Sequence, residues 1–260
     1  MKLSDTLTYS FIVNFKLAYK VAKAEIVARY RRSFLGTLWY TISTIAIVFG
    51  LGPLYATIFK VEVGGYFVYI AFGIIFWNFV QGAIVESCGN VIQHESLIKD
   101  LSIHYATFSV SNTIKHFLIL AQNFIAIYLV FLTQKSIHAP SVSVFVLPVL
   151  LLEGAVLTYV GFVISLVSAR FRDFTPIVNI VMQLFFFLTP ILWQIRPDIA
   201  QYKVVQWNPI YFLIELPRGY ILNGSIDVEI LTKLAAIAVA SLFLAELFHR
   251  RYAKRFVFWI

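Results

Sequence analysis

Six long apolar stretches constrain the fold of this 260-residue chain more than any other feature. They cover about residues 34–59, 66–88, 105–133, 144–168, 176–195 and 231–249. About 20 apolar residues in a helix cross the ~30 Å hydrocarbon core of a bilayer, so each stretch is a candidate membrane span. Charged residues make up only 13% of the chain, against about 25% in soluble domains. We therefore predict an all-α polytopic membrane protein with six transmembrane helices in a single domain, residues 1–260.

The region before the first span has a different pattern. Over residues 5–32, apolar side chains recur every three or four positions between Lys and Arg residues, which predicts an amphipathic helix on the membrane surface. The apolar stripe consists of Phe11, Phe15, Tyr19, Ala22, Ile26 and Tyr30. A soluble helix packed on a partner protein would show the same pattern. Because the segment leads directly into a span, we favour an interfacial helix for residues 1–33.

Lys and Arg residues are distributed unevenly between the two sides that six spans define. Fourteen of the 21 fall on the side of both termini, which includes the basic tail 250–260, and five fall on the other side. Membrane proteins keep positive charge on the cytoplasmic side, so both termini are predicted to be cytoplasmic. The net charge of +8 has the same explanation, and the absence of a basic domain outside the spans excludes a nucleic-acid-binding protein.

The connection between the fourth and fifth spans is short and charged. Arg170, Arg172 and Asp173 form a predicted cytoplasmic hinge there. Thr175 and Pro176 follow, with the pattern of a helix N-cap and first helical residue. We therefore predict that the fifth span starts at Pro176.

The segment between the fifth and sixth spans, residues 196–230, is unusually long for an outer connection. Part of it is apolar enough to enter the membrane but is interrupted by Pro209, Pro217 and Gly219. This pattern predicts two short re-entrant helices. Irregular backbone at membrane depth is tolerated only beside protein or a water-filled cavity, which points to the mouth of a pore.

Motifs for catalysis and cofactor binding are missing from the sequence. The histidines and the single cysteine lack metal-ligand spacing, and no nucleophile-elbow, zinc-protease or phosphate-binding-loop motif occurs. We predict that the chain is not an enzyme, binds no metal or cofactor, and uses ATP only if another chain binds it.

Three polar residues inside the spans permit more than one interpretation. Glu153, in the fourth span, is either a functional proton or ion site or a carboxyl group bonded to a neighbouring helix. We favour the second interpretation because no other acidic residue lies at mid-depth. Asn179 and Gln183, one turn apart on the fifth span, either line a polar path or bond another helix.

Three motifs give the chain a resemblance to a known family. They are RYRRSFLGTLW at 29–39, SARFRDFTPIVNIVMQLFFFLTPILW at 168–193 and WNPIYFLIELPRGYIL at 207–222. In this order and at this spacing they resemble the membrane subunit of ABC-2-type ATP-binding cassette exporters of bacterial polysaccharides, in the O-antigen, capsule and teichoic-acid branch. The resemblance covers the layout of the whole chain.

The resemblance implies a homodimer in the bacterial inner membrane, joined to two copies of a separate ATPase that binds ATP and Mg²⁺. It also implies that the polar segment 89–104 contains a coupling helix that docks on this ATPase. The residues expected to contact the ATPase are His94, Glu95, Lys99 and Asp100. The residues expected to frame the outer exit are Trp207, Asn208, Pro209, Pro217 and Arg218.

The implied activity is ATP-driven export of a lipid-linked polysaccharide, such as O-antigen, through a channel between two copies. Arg29, Arg31 and Arg32 would then either bind the diphosphate or headgroup of the substrate or only anchor the helix to membrane lipids. Export of capsule or teichoic acid by the same mechanism is an alternative. A proton-coupled carrier that uses Glu153 is a more distant one.

Overall fold

The computed structural model describes residues 14–61, 63–101, 103–133, 146–195, 205 and 207–252. These residues form ten α-helices and no strand, which confirms the predicted all-α fold over this part of the chain. The helices are α1 (Phe15–Tyr30), α2 (Leu38–Phe59), α3 (Val63–Ser87), α4 (Asn90–Gln93), α5 (Glu95–Asp100), α6 (Ala106–Thr133), α7 (Val146–Arg170), α8 (Phe174–Leu188), α9 (Pro209–Asn223) and α10 (Val228–Tyr252).

Five helices, α2, α3, α6, α7 and α10, are long and apolar enough to cross a membrane. The predicted fifth span differs, because α8 has only 15 residues and a length of about 22 Å at 1.5 Å per residue. Pro190 disfavours helical geometry at Thr189, which is extended (φ −94°, ψ 137°) and ends the helix. The predicted count of six transmembrane helices is therefore not confirmed. The start of α8 also differs from the prediction, since Asp173 rather than Thr175 occupies the N-cap position.

Helix α3 lies at the centre of the bundle. It packs against α2, α6, α7, α8 and α9, and 72% of its membrane-length window is buried. Apart from Glu86 near its C-terminus, its sequence is uncharged and apolar on every side, which is typical of a helix surrounded by protein. The outer helices α2 and α10 are mostly exposed, so their apolar side chains are available to lipid or to another chain.

One end of the bundle, called here the basic end, holds the C-termini of α3, α7 and α10 and the N-termini of α6 and α8. An apolar cluster joins the ends of α6, α7 and α10 to α1 and to residues 90–101. Its buried members include Ala18, Ile98, Tyr105, Leu166 and Ala245. The side chains of Tyr105 and His249 are also hydrogen-bonded, at 2.7 Å between Oη and Nδ1.

Helix α1 packs along α6 through small residues. Ala18 and Ala22 are fully buried, whereas Phe15 and Tyr19 are exposed beside lysines. The predicted apolar stripe is therefore wrong at Ala22, which packs inside the protein. Residues 5–13 of the predicted interfacial helix lie outside the described residues.

Helix α9 lies at the opposite end of the bundle, packed on α3, α7 and α10. Asn208 caps its N-terminus by accepting hydrogen bonds from the backbone N–H groups of Ile210 and Tyr211. The helix continues through Pro217, where a break was predicted, and ends at Gly224 in a left-handed conformation (φ +70°). Burial of Pro217 against neighbouring helices offsets the backbone hydrogen bond that a proline cannot donate. The remainder of the predicted re-entrant segment, at 196–204 and 206, is outside the described part.

Candidate functional site

Charged and titratable side chains from four parts of the chain meet in one network at the basic end. We call it the ion network, and its members are Glu25 and Arg29 on α1, Glu86 on α3, His94 between α4 and α5, and Lys115 and His116 on α6. Three helices and the 90–101 segment are thus joined by polar contacts within an otherwise apolar protein.

Lys115 is the central cation of the ion network. Its side chain is only 4% exposed, and its Nζ lies 2.6 Å from Glu25 Oε2 and 2.7 Å from Glu86 Oε2. A buried charge needs opposite charge and hydrogen bonds because its desolvation is costly. Lys115 therefore ties α1 and α3 to α6.

Arg29 forms the second connection from α1 to α3. Its Nη1 donates to Glu86 Oε1 at 2.7 Å and to the Tyr40 hydroxyl at 3.1 Å. The hydrogen bond to Glu86 raises the pKa of Arg29 above its ordinary value. Arg29 is held by Glu86 although its side chain is 41% exposed, whereas Arg31 and Arg32 are exposed and have no ion pair within the described part of the chain. All three arginines predicted to bind a headgroup are therefore accessible, and Arg29 is engaged by Glu86.

His94 connects the 90–101 segment to α1. Its Nε2 lies 3.2 Å from Glu25 Oε1, its Nδ1 lies 2.7 Å from the carbonyl oxygen of Asn90, and its ring stacks on Phe108. Burial favours the neutral form of Glu25, yet the hydrogen bond to His94 and the charge of Lys115 hold the pKa of that carboxyl below its ordinary value. Glu25 is therefore an anion that bridges His94 and Lys115.

The other predicted coupling residues lie on the surface. Glu95, Lys99 and Asp100 are exposed on α5, and Lys99 Nζ contacts Glu95 Oε1 at 2.7 Å. Leu101, which follows them, is 64% exposed. The 90–101 segment thus presents a charged surface with an apolar residue outward, and His94 inward.

The predicted hinge residues are also exposed at the basic end. Arg170 ends α7 with its guanidinium 5.9 Å from the ring centroid of Phe171, and Arg172 and Asp173 precede α8. All three side chains are therefore accessible on the same end of the bundle as the 90–101 segment.

A second polar site lies at the opposite end, where α8 stops. We call it the Arg218 cluster: Tyr69, Pro190, Glu215 and Arg218. Arg218 is fully buried, donates from Nη1 to the carbonyl oxygen of Pro190 at 2.9 Å and from Nε to Glu215 Oε2 at 3.0 Å, and lies 3.9 Å from the ring centroid of Tyr69. A single side chain thus connects α3, the end of the α8 segment and α9.

Neighbouring residues reinforce the Arg218 cluster. The Tyr69 hydroxyl lies 2.9 and 3.1 Å from the carbonyl oxygens of Pro190 and Trp193, which share its one proton, and the Tyr66 hydroxyl donates to the carbonyl oxygen of Leu192. Asn208 donates to Thr189 Oγ1 at 2.9 Å. The tyrosine bonds satisfy backbone carbonyls that the end of α8 leaves without helical partners, and the Asn208 bond ties the N-terminus of α9 to the same segment.

The predicted exit residues do not share one surface. Trp207 and Pro209 are exposed, whereas Asn208, Pro217 and Arg218 are buried among the helices. Asn208, Pro217 and Arg218 therefore make contacts inside the protein and do not form part of an open surface.

Glu153 is fully buried, and neither of its carboxylate oxygens has a hydrogen-bond partner among the described residues. The predicted bond to a neighbouring helix is therefore not found there. Asn179 bonds the carbonyl oxygen of Thr175 in its own helix, at 3.0 Å. With Gln81 and Gln183 it lines an open groove of about 470 Å³ that also contains Trp77, Phe186 and Phe187. In the described ranges no three His, Cys, Asp or Glu side chains could share a metal ion.

Sequence reasoning missed most of both polar sites. It did not identify Glu25, Lys115 and Glu86 as partners, although Lys115 beside His116 inside a span is an available signal. Nor did it identify Tyr69 and Glu215 as partners of Arg218, and no sequence pattern distinguishes this tyrosine from the thirteen others.

Comparison with known proteins gives consistent matches. The family model for ABC-2 type transporters matches residues 17–222. Two O-antigen export system permease proteins RfbA from Klebsiella pneumoniae are 24% and 21% identical to the chain, each over 87% of this chain and 88% of the relative. A protein of the same name from Myxococcus xanthus is 22% identical over 88% of this chain and 90% of its own length.

Proposed function

We propose that this chain, which belongs to the ABC-2 type transporter family, is the membrane subunit of an ATP-driven exporter that moves lipid-linked polysaccharide across the bacterial inner membrane. The observation that carries the proposal is its similarity to O-antigen export permeases over 87–88% of its length. O-antigen is accordingly the favoured polymer, ahead of capsule and teichoic acid.

The energy source is a separate ATPase chain that holds ATP and Mg²⁺. This chain contains no phosphate-binding loop. The working assembly that the family resemblance implies consists of two permease copies and two ATPase copies. The basic end faces the cytoplasm because it carries the excess of Lys and Arg. The channel for the glycan lies between the two permease copies.

Coupling begins at the exposed surface of the 90–101 segment. Glu95, Lys99 and Asp100 bind charged groups on the ATPase, and Leu101 supplies an apolar contact. Rim charges of this kind guide association and register. The hinge residues Arg170, Arg172 and Asp173 lie at the same end and extend the docking surface.

The ion network transmits movement of the docked segment into the bundle. His94 moves with α5, and its contact with Glu25 passes the displacement to α1. Lys115 then links Glu25 to Glu86, so that α6 and α3 follow. Because separating a buried pair of opposite charges costs a large free energy, such a pair can act as a rigid connection that transmits movement between helices.

Co-purification tests the proposal. Affinity-tagged permease, expressed with the ATPase encoded beside it, should retain that ATPase after detergent extraction. Asp100→Lys reverses a charge on the docking surface and should reduce the retained ATPase by about tenfold, the effect of losing about 1.4 kcal/mol. Glu229→Lys, an exposed charge reversal at the opposite end, is the matched control and should retain it fully. Absence of any bound ATPase from the unmodified permease would refute the proposal.

A further inference from the structure

We infer that Arg218 is a positioning residue that holds the non-helical segment 189–193 against α3 and thereby keeps the end of the bundle opposite the basic end closed within each subunit. The proposed function identifies this end as the outer one. The holding itself is a property of the isolated permease and does not depend on export.

Segment 189–193 needs hydrogen-bond donors from other parts of the chain because it has no regular helical hydrogen bonds of its own. Helix α8 stops at Leu188, so the carbonyl oxygens of the non-helical residues that follow lack regular helical partners. Pro190 also has no backbone N–H to donate. In an apolar bundle such carbonyls need hydrogen-bond donors from elsewhere. Tyr66, Tyr69 and Arg218 supply them.

Three contacts hold Arg218 in place. Its guanidinium carbon lies over the Tyr69 ring, 3.9 Å from the ring centroid, and the group is hydrogen-bonded to the Pro190 carbonyl oxygen and to Glu215 at the same time. A Cβ atom at Gly73 would lie 3.1 Å from both Arg218 Nη1 and the Ile191 carbonyl oxygen. Glycine at this position of α3 therefore lets the segment and the arginine approach the helix together.

The geometry requires an arginine rather than any cation. A guanidinium donates from several nitrogens in one plane while it stacks on a ring, whereas a lysine ammonium is a compact point charge. Arg218→Lys should therefore keep the charge beside Glu215 but lose the simultaneous contacts with Tyr69 and Pro190. Tyr69→Phe makes a smaller change, because it removes only the two hydroxyl bonds and keeps the ring under Arg218.

The rate at which a cysteine in segment 189–193 reacts with a thiol reagent measures whether the segment is packed against α3 or open. Ile191 is fully buried, so Ile191→Cys, in a Cys88→Ser background, reports opening through its rate of reaction with a membrane-impermeant maleimide. Gln194→Cys, at an exposed position, gives the maximal rate. Tyr220→Phe is the matched control, since Tyr220 is also buried but its hydroxyl has no hydrogen bond in the described part of the chain.

With Arg218 and Tyr69 intact, Ile191→Cys should react far more slowly than Gln194→Cys. Arg218→Lys and Tyr69→Phe should each raise its rate by about tenfold or more, as expected when hydrogen bonds to charged or buried groups are lost, and Tyr220→Phe should not. If Arg218→Lys does not elute as a folded protein, the reaction rate of Ile191→Cys in the Tyr69→Phe variant alone tests the inference. Equal rates in the variants and the parent would overturn the inference. So would a parent rate as high as that of Gln194→Cys. Neither result bears on ATPase binding, which tests the proposed function separately.

Discussion

Replacement of Lys115 with methionine should destabilise the permease more than any exposed lysine substitution. The change removes the ammonium group that contacts both Glu25 and Glu86 in the ion network, while the aliphatic part of the side chain is retained. The two carboxylates stay partly buried but are not left alone, since Glu25 keeps His94 as a partner and Glu86 keeps Arg29 and His116.

The expected loss of stability follows from the burial of the Lys115 ion pairs. Breaking a buried ion pair by removing one partner costs about 3–5 kcal/mol, because the remaining charge is desolvated and uncompensated. Because Glu25 and Glu86 each keep a second partner, we expect the lower end, about 3 kcal/mol. For a chain of this size, about 2–4 °C is lost per kcal/mol, so the melting temperature should fall by roughly 6–12 °C.

Lys233 is the matched control for this experiment. Its Nζ contacts Glu229 Oε1 at 2.6 Å, the same distance as in the buried pair, but its side chain is 38% exposed. An exposed pair at this helical spacing contributes only about 0.3–0.5 kcal/mol, so Lys233→Met should shift the melting temperature by no more than about 2 °C. Tryptophan fluorescence of the purified permease in detergent gives both values. Equal shifts for the two variants would refute the view that the ion network is a buried, stabilising connection.

Three further predictions test other parts of the structure. Gly73→Ala places a Cβ against Arg218 and should cost about 1–3 kcal/mol of stability, whereas Gly50→Ala, with open space around its Cβ, should cost nothing; thermal unfolding measures both. Glu153→Gln should leave ATP-driven export at the parent rate in a cell-surface glycan assay, and loss of export would instead favour a proton-coupled carrier. Burial and, to a smaller extent, the nearby His249 lower the pKa of His104 to about 4. The unfolded chain therefore takes up a proton at a higher pH than the folded chain, and the stability should fall as the pH drops from about 6.5 towards 4. His104→Gln should flatten that decline in melting temperatures measured across this range.

Hydropathy predicted the five long helices because the thickness of a bilayer fixes the length of an apolar span. It failed at the fifth predicted span because it counts apolar residues and takes no account of backbone geometry. Residues 189–195 are uncharged, yet Pro190 forces Thr189 into an extended conformation and ends α8 early. The proline was visible in the sequence, and the restriction on its neighbour was the signal to use.

The polar sites were harder to predict because they depend on tertiary contacts. Glu25 and Lys115 are 90 positions apart, and a single sequence does not show that they meet. On α1 the aromatic side chains led to the prediction of a membrane-facing apolar stripe that includes Ala22, but Ala22 and Ala18 form the buried face that packs along α6. Glu25 and Arg29 continue that same face by helical spacing, which brings them to α3 and α6. Glu95, Lys99 and Asp100 are exposed on α5. Their contact with an ATPase stays a prediction.

The most direct test of the account is glycan translocation in proteoliposomes. The permease and its ATPase are reconstituted with lipid-linked polysaccharide, and transfer is measured as the fraction of glycan that becomes protected from, or exposed to, an added glycosidase. If the permease is part of an ATP-driven exporter, transfer should require ATP and both chains, and should stop when the ATPase is replaced by a variant unable to hydrolyse ATP. Transfer by the permease alone, without ATP, would contradict it.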